Sequence, residues 1–228
     1  MNQEIIECRE KAQHRGWMME PEAKEILRLS GCPVPRFAVI SARDDAVQAA
    51  RDIGYPVVVK VVSPAIIHKS DVGGVVVGIN SDDELLSAFH RLSELPGCEG
   101  ILVEESCRGT ELIIGAVIDN QFGPMIMLGI GGIAVEIYND VALRMAPLSE
   151  GDVPRMIDSL KARDLIRGFR GRKPINLQSL TSCLMSFSRL ISEMEPFIES
   201  ADLNPVFCTE DTCTIADARF IMKKAEKS

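Results

Sequence analysis

Lys60 stands inside an apolar strand pattern, Tyr55-Pro-Val-Val-Val-Lys-Val-Val62. Period-2 alternation puts it on the same face as Val58 and Val62. An ammonium on a buried face is costly unless an anion meets it, whereas one on an edge strand or a solvent-facing side needs no partner. From Lys60 alone both readings stay open. The loop that follows, Ser63-Pro-Ala-Ile-Ile-His-Lys-Ser-Asp-Val-Gly-Gly74, adds chemistry. Gly73 and Gly74 permit positive φ and a close approach of backbone N–H groups to phosphate, although paired glycines also make ordinary hairpin turns. His68 is either a surface histidine or an imidazole placed to accept a phosphoryl group. Together, residues 57–74 read as a phosphate-handling segment of the kind an ATP/ADP-dependent enzyme uses.

Further candidates lie along the chain. Ile101-Leu-Val-Glu-Glu105 reads as a strand emerging into a connection, where backbone groups can meet an adenine edge and Glu104 or Glu105 a ribose. The alternative is a strand end with two solvated acids. Glu111 and Glu136 each interrupt apolar strands, and Arg144 lies between Leu143 and Met145, so each can equally face solvent. Asp202-Leu-Asn-Pro205 and Ala216-Asp-Ala-Arg219 place oxygen ligands on neighbouring strands about a hairpin apart. Hard oxygen donors without a nearby Cys or His cluster suit Mg²⁺. Otherwise Asn204-Pro205 is a turn and Asp217 a surface acid. A P-loop is excluded, because Gly-x4-Gly-Lys-Ser/Thr is absent. Gly129-Ile-Gly-Gly-Ile-Ala134 meets the dinucleotide fingerprint in form, but Val135-Glu-Ile-Tyr after it reads as extended rather than helical, which argues against a Rossmann site.

These residues need a scaffold of alternating elements. Helices are expected over 2–13 and 21–29, the second with Pro21 in its first turn and Gly31 just past its end. There follow strand 37–40, helix 44–53, strand 57–62, the loop, strand 75–79, helix 82–92 and strand 101–105. The linkers are too short for every strand pair to be a parallel crossover. Beyond 105 the pattern turns to successive strands, 111–118, 124–130, 134–138 and 142–145, which read as an antiparallel sheet. A helical region capped by Ser149 or Asp152 follows. An amphipathic helix over 176–194 then carries Leu177, Leu180, Leu184, Phe187, Leu190 and Ile191 on one face. Strands near 201–207 and 212–216 close the pattern. The fold class is α+β, in two lobes meeting near Glu104. Residues 1–35 form a helical segment packed on the body, 36–103 a small lobe with the phosphate loop, and 104–228 a large lobe with the metal site.

A chain of 228 residues, 46% hydrophobic and 25% charged, can bury a substantial core. Its formal net charge of -8 lacks the basic field that nucleic acid requires, so any phosphate must be held by local groups. Its seven cysteines are odd in number and scattered with no Cys-x-x-Cys, a pattern expected of reduced thiols in a cytoplasm. Residues 1–15 have no secretory signal pattern. The longest apolar run, 124–135, is about half a membrane span and is broken by three glycines, so no membrane insertion is expected.

The pieces together resemble the ATP-grasp β subunit, or β-like domain, of ADP-forming acyl-CoA synthetases, relatives of succinyl-CoA synthetase. The resemblance runs from Glu22-Ala-Lys-Glu25 and Gly31-Cys-Pro-Val-Pro35 to Asp217-Ala-Arg219. It rests on Ile53-Gly-Tyr-Pro-Val-Val-Val-Lys60, Ser63-Pro64, Ile67-His-Lys-Ser-Asp-Val-Gly-Gly74, Thr110-Glu-Leu-Ile-Ile-Gly115, Phe122-Gly-Pro124, Gly129-Ile-Gly-Gly132, Arg144-Met-Ala-Pro147 and Asp202-Leu-Asn-Pro205. It implies an ATP-grasp fold whose two α+β lobes hold ATP or ADP between them. By position it assigns Lys60 and the Gly73-Gly74 loop to the phosphates, and Glu104 and Glu111 to the nucleoside side. Glu105 and Arg144 also fall on the nucleotide. Asn204 with Asp217 would hold Mg²⁺, and His68 would carry phosphate transiently. The reaction implied is acyl-CoA, phosphate and ADP to acid, CoA and ATP through an acyl phosphate and a phosphohistidine. The chain departs from the family at Ala65, where an acid is usual. No CoA-binding Rossmann domain and no second catalytic histidine segment are found, so a separate α subunit is expected to supply both. The competing readings are a stand-alone ATP-grasp ligase acting through an acyl phosphate and a non-catalytic nucleotide-sensing module.

Overall fold

The computed structural model describes residues 3–132, 140–169, 171 and 173–223; the strand expected over 134–138, with Glu136, lies outside them. The chain divides into two compact units, Pro35–Cys107, and Met1–Val34 together with Arg108–Ser228.

In the first unit four strands, β1 (Phe37–Ile40), β2 (Val57–Val62), β3 (Val75–Ile79) and β4 (Gly100–Glu105), form a sheet of order β1-β4-β2-β3. Every pairing is antiparallel. Helices α3 (Arg43–Ile53) and α4 (Asp82–Ser93) cover one face of this sheet. Val57 and Val59 point into that core with Ala46, Ala50, Leu85, Phe89, Ile101 and Val103. The alternation of β2 therefore turns Val58, Lys60 and Val62 to the other face. Ser81 caps α4 by accepting from the Glu84 N–H, satisfying one of the donors that a helix start leaves open.

The second unit begins with helices α1 (Gln3–Arg15) and α2 (Glu20–Leu29). Glu20 and Lys24, one turn apart on α2, form a buried ion pair of 2.8 Å. The link between these helices joins the far end of the chain, where Trp17 bridges Ile221 and the Met18 N–H donates to the Phe220 carbonyl. The sheet has order β10-β8-β5-β6-β7, with β9 on β8. Its strands are β5 (Thr110–Asp119), β6 (Gly123–Ile130), β7 (Val141–Met145), β8 (Ile198–Cys208), β9 (Cys213–Ile215) and β10 (Arg219–Met222). Strand β10 was not expected; only four residues long, it has too little alternation to stand out beside Asp217.

One face of this sheet carries Leu112, Ile114, Ile126, Leu128, Ala201, Leu203 and Phe220 into the main core. Two short helices, α5 (Asp152–Ser159) and α6 (Asp164–Arg167), lead to α7 (Leu177–Met194). The Asp152 carboxylate accepts from the Ser149 N–H at 2.9 Å, and Asn176 caps α7 by accepting from the Ser179 N–H at 2.8 Å. Leu180, Leu184, Phe187, Leu190 and Ile191 of α7 pack into the core, each fully buried side chain contributing about 1.5–3 kcal/mol. Leu177, expected on that face, is 42% exposed because it is the first residue of the helix.

The cysteines correct the expectation of reduced thiols throughout. Cys208 and Cys213 are register partners across the β8–β9 hairpin, their Cα atoms 4.0 Å apart, and they form a disulfide. Their four intervening residues escape a search for Cys-x-x-Cys, yet a hairpin brings such positions face to face. Cys8, Cys32, Cys98 and Cys183 are free thiols. Among the described residues no helix is long and apolar enough to cross a membrane.

Candidate functional site

In the unit Pro35–Cys107 the partner of Lys60 is Glu104. The register of β2 on β4 sets Val58 opposite Glu104 and Lys60 opposite Leu102, so Lys60 and Glu104 are diagonal neighbours on the face away from α3 and α4. Their side chains meet at 2.8 Å and are 7% and 3% exposed. The buried-face reading of Lys60 therefore holds, and the anion that meets it in this chain is a carboxylate. Glu105, next in β4, faces the other way and pairs at 3.3 Å with Arg36, both largely exposed.

Lys60 also marks one foot of the loop. It is opposite Val75 in the β2–β3 register, and the Val61 N–H donates to the Gly74 carbonyl at 2.9 Å. The two glycines have different tasks. Gly73 takes φ 66°, a left-handed conformation that closes the short 3₁₀ turn Ser70–Val72. Gly74 is a close approach, because a Cβ there would lie 2.7 Å from Val61 Cγ1 and 2.9 Å from the Lys69 carbonyl oxygen. His68 is exposed between these fixed points.

At the other foot Ser63 accepts from the Ala65 N–H at 3.1 Å and donates to the Pro96 carbonyl at 2.7 Å. The hydroxyl thus anchors the loop where Ala65 supplies no carboxylate. The sequence marks Ser63-Pro64 as part of the family motif, but not the two hydrogen bonds of its hydroxyl, which depend on how the loop folds back.

In the larger unit, the face of the sheet away from α7 carries Glu111, Asp202 and Asn204. Glu111 is opposite Phe207 and exposed. The Gly131 N–H donates to the Glu111 carbonyl at 2.7 Å, and a Cβ on Gly131 would lie 2.9 Å from the Glu111 Cβ. The glycines of the apparent dinucleotide fingerprint thus let the chain pass over Glu111.

Asp202 and Asn204 follow on β8, where the pairing with β5 shifts between Leu112 and Ile114 and the Asn204–Pro205 peptide is cis. The Ala216 N–H donates to the Pro205 carbonyl at 3.0 Å, which brings Asp217 beside Asn204. Asp217 accepts from the Ala218 N–H at 2.8 Å. Asp202 is the register partner of Arg219 and lies 3.6 Å from its guanidinium. Burial pushes the Asp202 carboxyl up, with Arg219 pulling the other way.

Arg144 is one residue out of step. It lies opposite Ile126, a core residue, while its neighbours Leu143 and Met145 occupy the face that holds Asp202. The strands alone do not bring it to Glu111 or Asn204.

Among the described residues no three His, Cys, Asp or Glu side chains cluster to form a protein-only metal cage. One amide and one carboxylate at the Asn204 corner fit a cation that draws most of its ligands from phosphates and water, the habit of Mg²⁺.

Residues 9–222 match the family described as ATP-grasp domain. The chain is 43% identical to the acetate–CoA ligase [ADP-forming] I subunit beta of Pyrococcus furiosus, over 96% of this chain and 97% of that one. It is 39% identical to the 4-hydroxybutyrate–CoA ligase [ADP-forming] of Nitrosopumilus maritimus over 92% of this chain, but spans only 31% of that protein. Among solved structures it is similar, with a TM-score of 0.85 and 38% identity, to a Korarchaeum cryptofilum dinucleotide forming acetyl-coenzyme A synthetase 1. That match covers 96% of this chain and all of the other, a structure in complex with coenzyme A and Mg-AMPPCP with a phosphohistidine segment pointing towards the nucleotide binding site. The chain belongs to the ATP-grasp family, in the branch that holds the β subunits of ADP-forming acetate–CoA ligases.

Proposed function

We propose that this chain is the nucleotide-binding β subunit of an ADP-forming acyl-CoA ligase. With a CoA-binding α subunit it converts acyl-CoA, ADP and phosphate reversibly to a carboxylic acid, CoA and ATP. The observation that carries the reading is the loop over 63–74, which exposes His68 while Ser63, Gly74 and the buried Lys60–Glu104 pair fix its feet. Likeness to a β subunit over nearly its whole length supports a separate α chain. The 31% share of the longer ligase supports placing CoA chemistry outside these residues.

In this reading Lys60 and the N–H groups near Gly73 and Gly74 hold the nucleotide phosphates. Glu104 and Glu111 serve the rest of the nucleotide; Glu105 and Arg144, which the family motif also assigns there, lie on the opposite faces of their strands and would have to reach it around the strand edge. Asn204 and Asp217 would hold Mg²⁺, which offsets phosphate charge when bound. A phosphohistidine on the α subunit hands its phosphoryl group to His68, the donor N–P bond breaking as the new one forms. A terminal oxygen of ADP then takes the group, and fixed donors keep attacking and leaving atoms in line. We place this work in the cytoplasm, where the nucleotide and CoA pools are.

The test is ATP formation from acyl-CoA, ADP and phosphate by the chain mixed with its α subunit. Both chains should be required. His68→Asn should lower turnover at least about a hundredfold while leaving MgADP binding intact. Turnover by the isolated chain, indifferent to His68, would instead identify a stand-alone ligase.

A further inference from the structure

The large sheet presents an apolar platform next to Asp202. Two cross-strand rows define it. In one, Leu143, Met127, Gly115, Asp202 and Arg219 stand side by side across five strands. In the next, Met145, Met125, Val117 and Ser200 do the same across four. The opposite face of these strands is closed by the core, with Ala116, Ile126 and Ala142 at most 7% exposed. On the platform Val117, Leu143 and Met145 are 48%, 47% and 56% exposed. The Met127 side chain lies across Gly115, its Cε 3.0 Å from where a Cβ would be, so the apolar surface runs up to Asp202 without a step.

We propose that this platform is the docking surface for the CoA-binding α subunit, an inference that rests on the function proposed above. Three observations favour that occupant. In the longer ligase the remaining two thirds of the polypeptide are tethered covalently, whereas a β subunit must hold its partner by a surface alone. The platform shares its face and one of its rows with Asp202, and Asn204 follows on the same strand, so a chain seated there comes up beside the proposed metal corner. The chain as a whole carries a net charge of -8, and the platform's five side chains carry none, so covering them desolvates no charge. Three of the five are methionines, whose flexible thioethers repack against more than one shape. That suits a partner that shifts between steps of a reaction.

The test measures association of the separately purified chain and its α subunit by biolayer interferometry, together with MgADP binding by calorimetry and the melting temperature. The double substitution Leu143→Glu/Met145→Glu should weaken association at least tenfold with MgADP binding and melting unchanged. Leu143→Met/Met145→Leu should associate like the native chain. Wild-type association of the glutamate variant overturns the proposal. It is also overturned if the isolated chain self-associates through these residues while α binding ignores them. If the native chain binds no MgADP, the proposed function fails; if it binds MgADP and α but the glutamate variant does so equally, only the platform fails.

Discussion

The Lys60 ammonium stands 2.8 Å from the Glu104 carboxylate, with both side chains almost excluded from solvent. Removing one member leaves the other charge in the interior without its 2.8 Å counterion. Lys60→Met should therefore cost about 3–5 kcal/mol in a urea or thermal unfolding curve. Lys60→Met/Glu104→Met should recover most of that stability and none of the nucleotide binding, which separates the structural role from the functional one.

Gly73 and Gly74 should respond oppositely to substitution. Gly73 needs only a left-handed backbone and has open space around it, so Gly73→Asn should keep turnover within about threefold. Gly74→Ala pushes a methyl against the Lys69 carbonyl and Val61, displacing the loop. Its turnover with the α subunit should fall at least about tenfold, since small misplacements near reacting groups are expensive.

At the Asn204 corner, Asp217→Asn removes the one carboxylate of the proposed Mg²⁺ pair. Calorimetric titration of ADP at several Mg²⁺ concentrations should then show weaker binding and a need for more Mg²⁺, with Mg²⁺-free binding unchanged. An identical Mg²⁺ dependence in both proteins would remove Asp217 from the metal site.

Burial raises the Asp202 carboxyl above the ordinary aspartate value. The folded chain then holds this proton more tightly than the unfolded one. The resulting contribution is full below the unfolded pKa and is lost as pH rises through the folded one. Asp202→Asn should consequently gain melting temperature relative to the native chain as pH rises through and above the ordinary aspartate range, the lost half-exposed contact with Arg219 costing little. Parallel melting curves across that range would contradict the assignment.

Much of this was legible in the residues. The alternation around Lys60 showed that Val58 and Val62 share its face, and the Gly-Gly pair marked the loop. What could not be read was the register. Glu104 meets Lys60 because β4 inserts between β1 and β2, a choice made by long-range packing rather than by any local pattern. The same limit hid the disulfide, since Cys208 and Cys213 become neighbours only once β8 and β9 pair. Arg144 shows the reverse case, a residue marked by its motif whose strand phase turns it toward the side of Ile126. Asp217 was visible as an acid, but its place opposite Asn204 depends on β9 pairing back onto β8, continued by the Ala216 N–H to the Pro205 carbonyl.

The most direct measurement follows the phosphoryl group itself. The chain, its α subunit and ATP labelled with ³²P in the γ position should yield acid-labile label on this chain at His68. That label should disappear in His68→Asn together with turnover. A His68→Asn protein that turns over at the native rate, or label that never reaches this chain, would contradict the account.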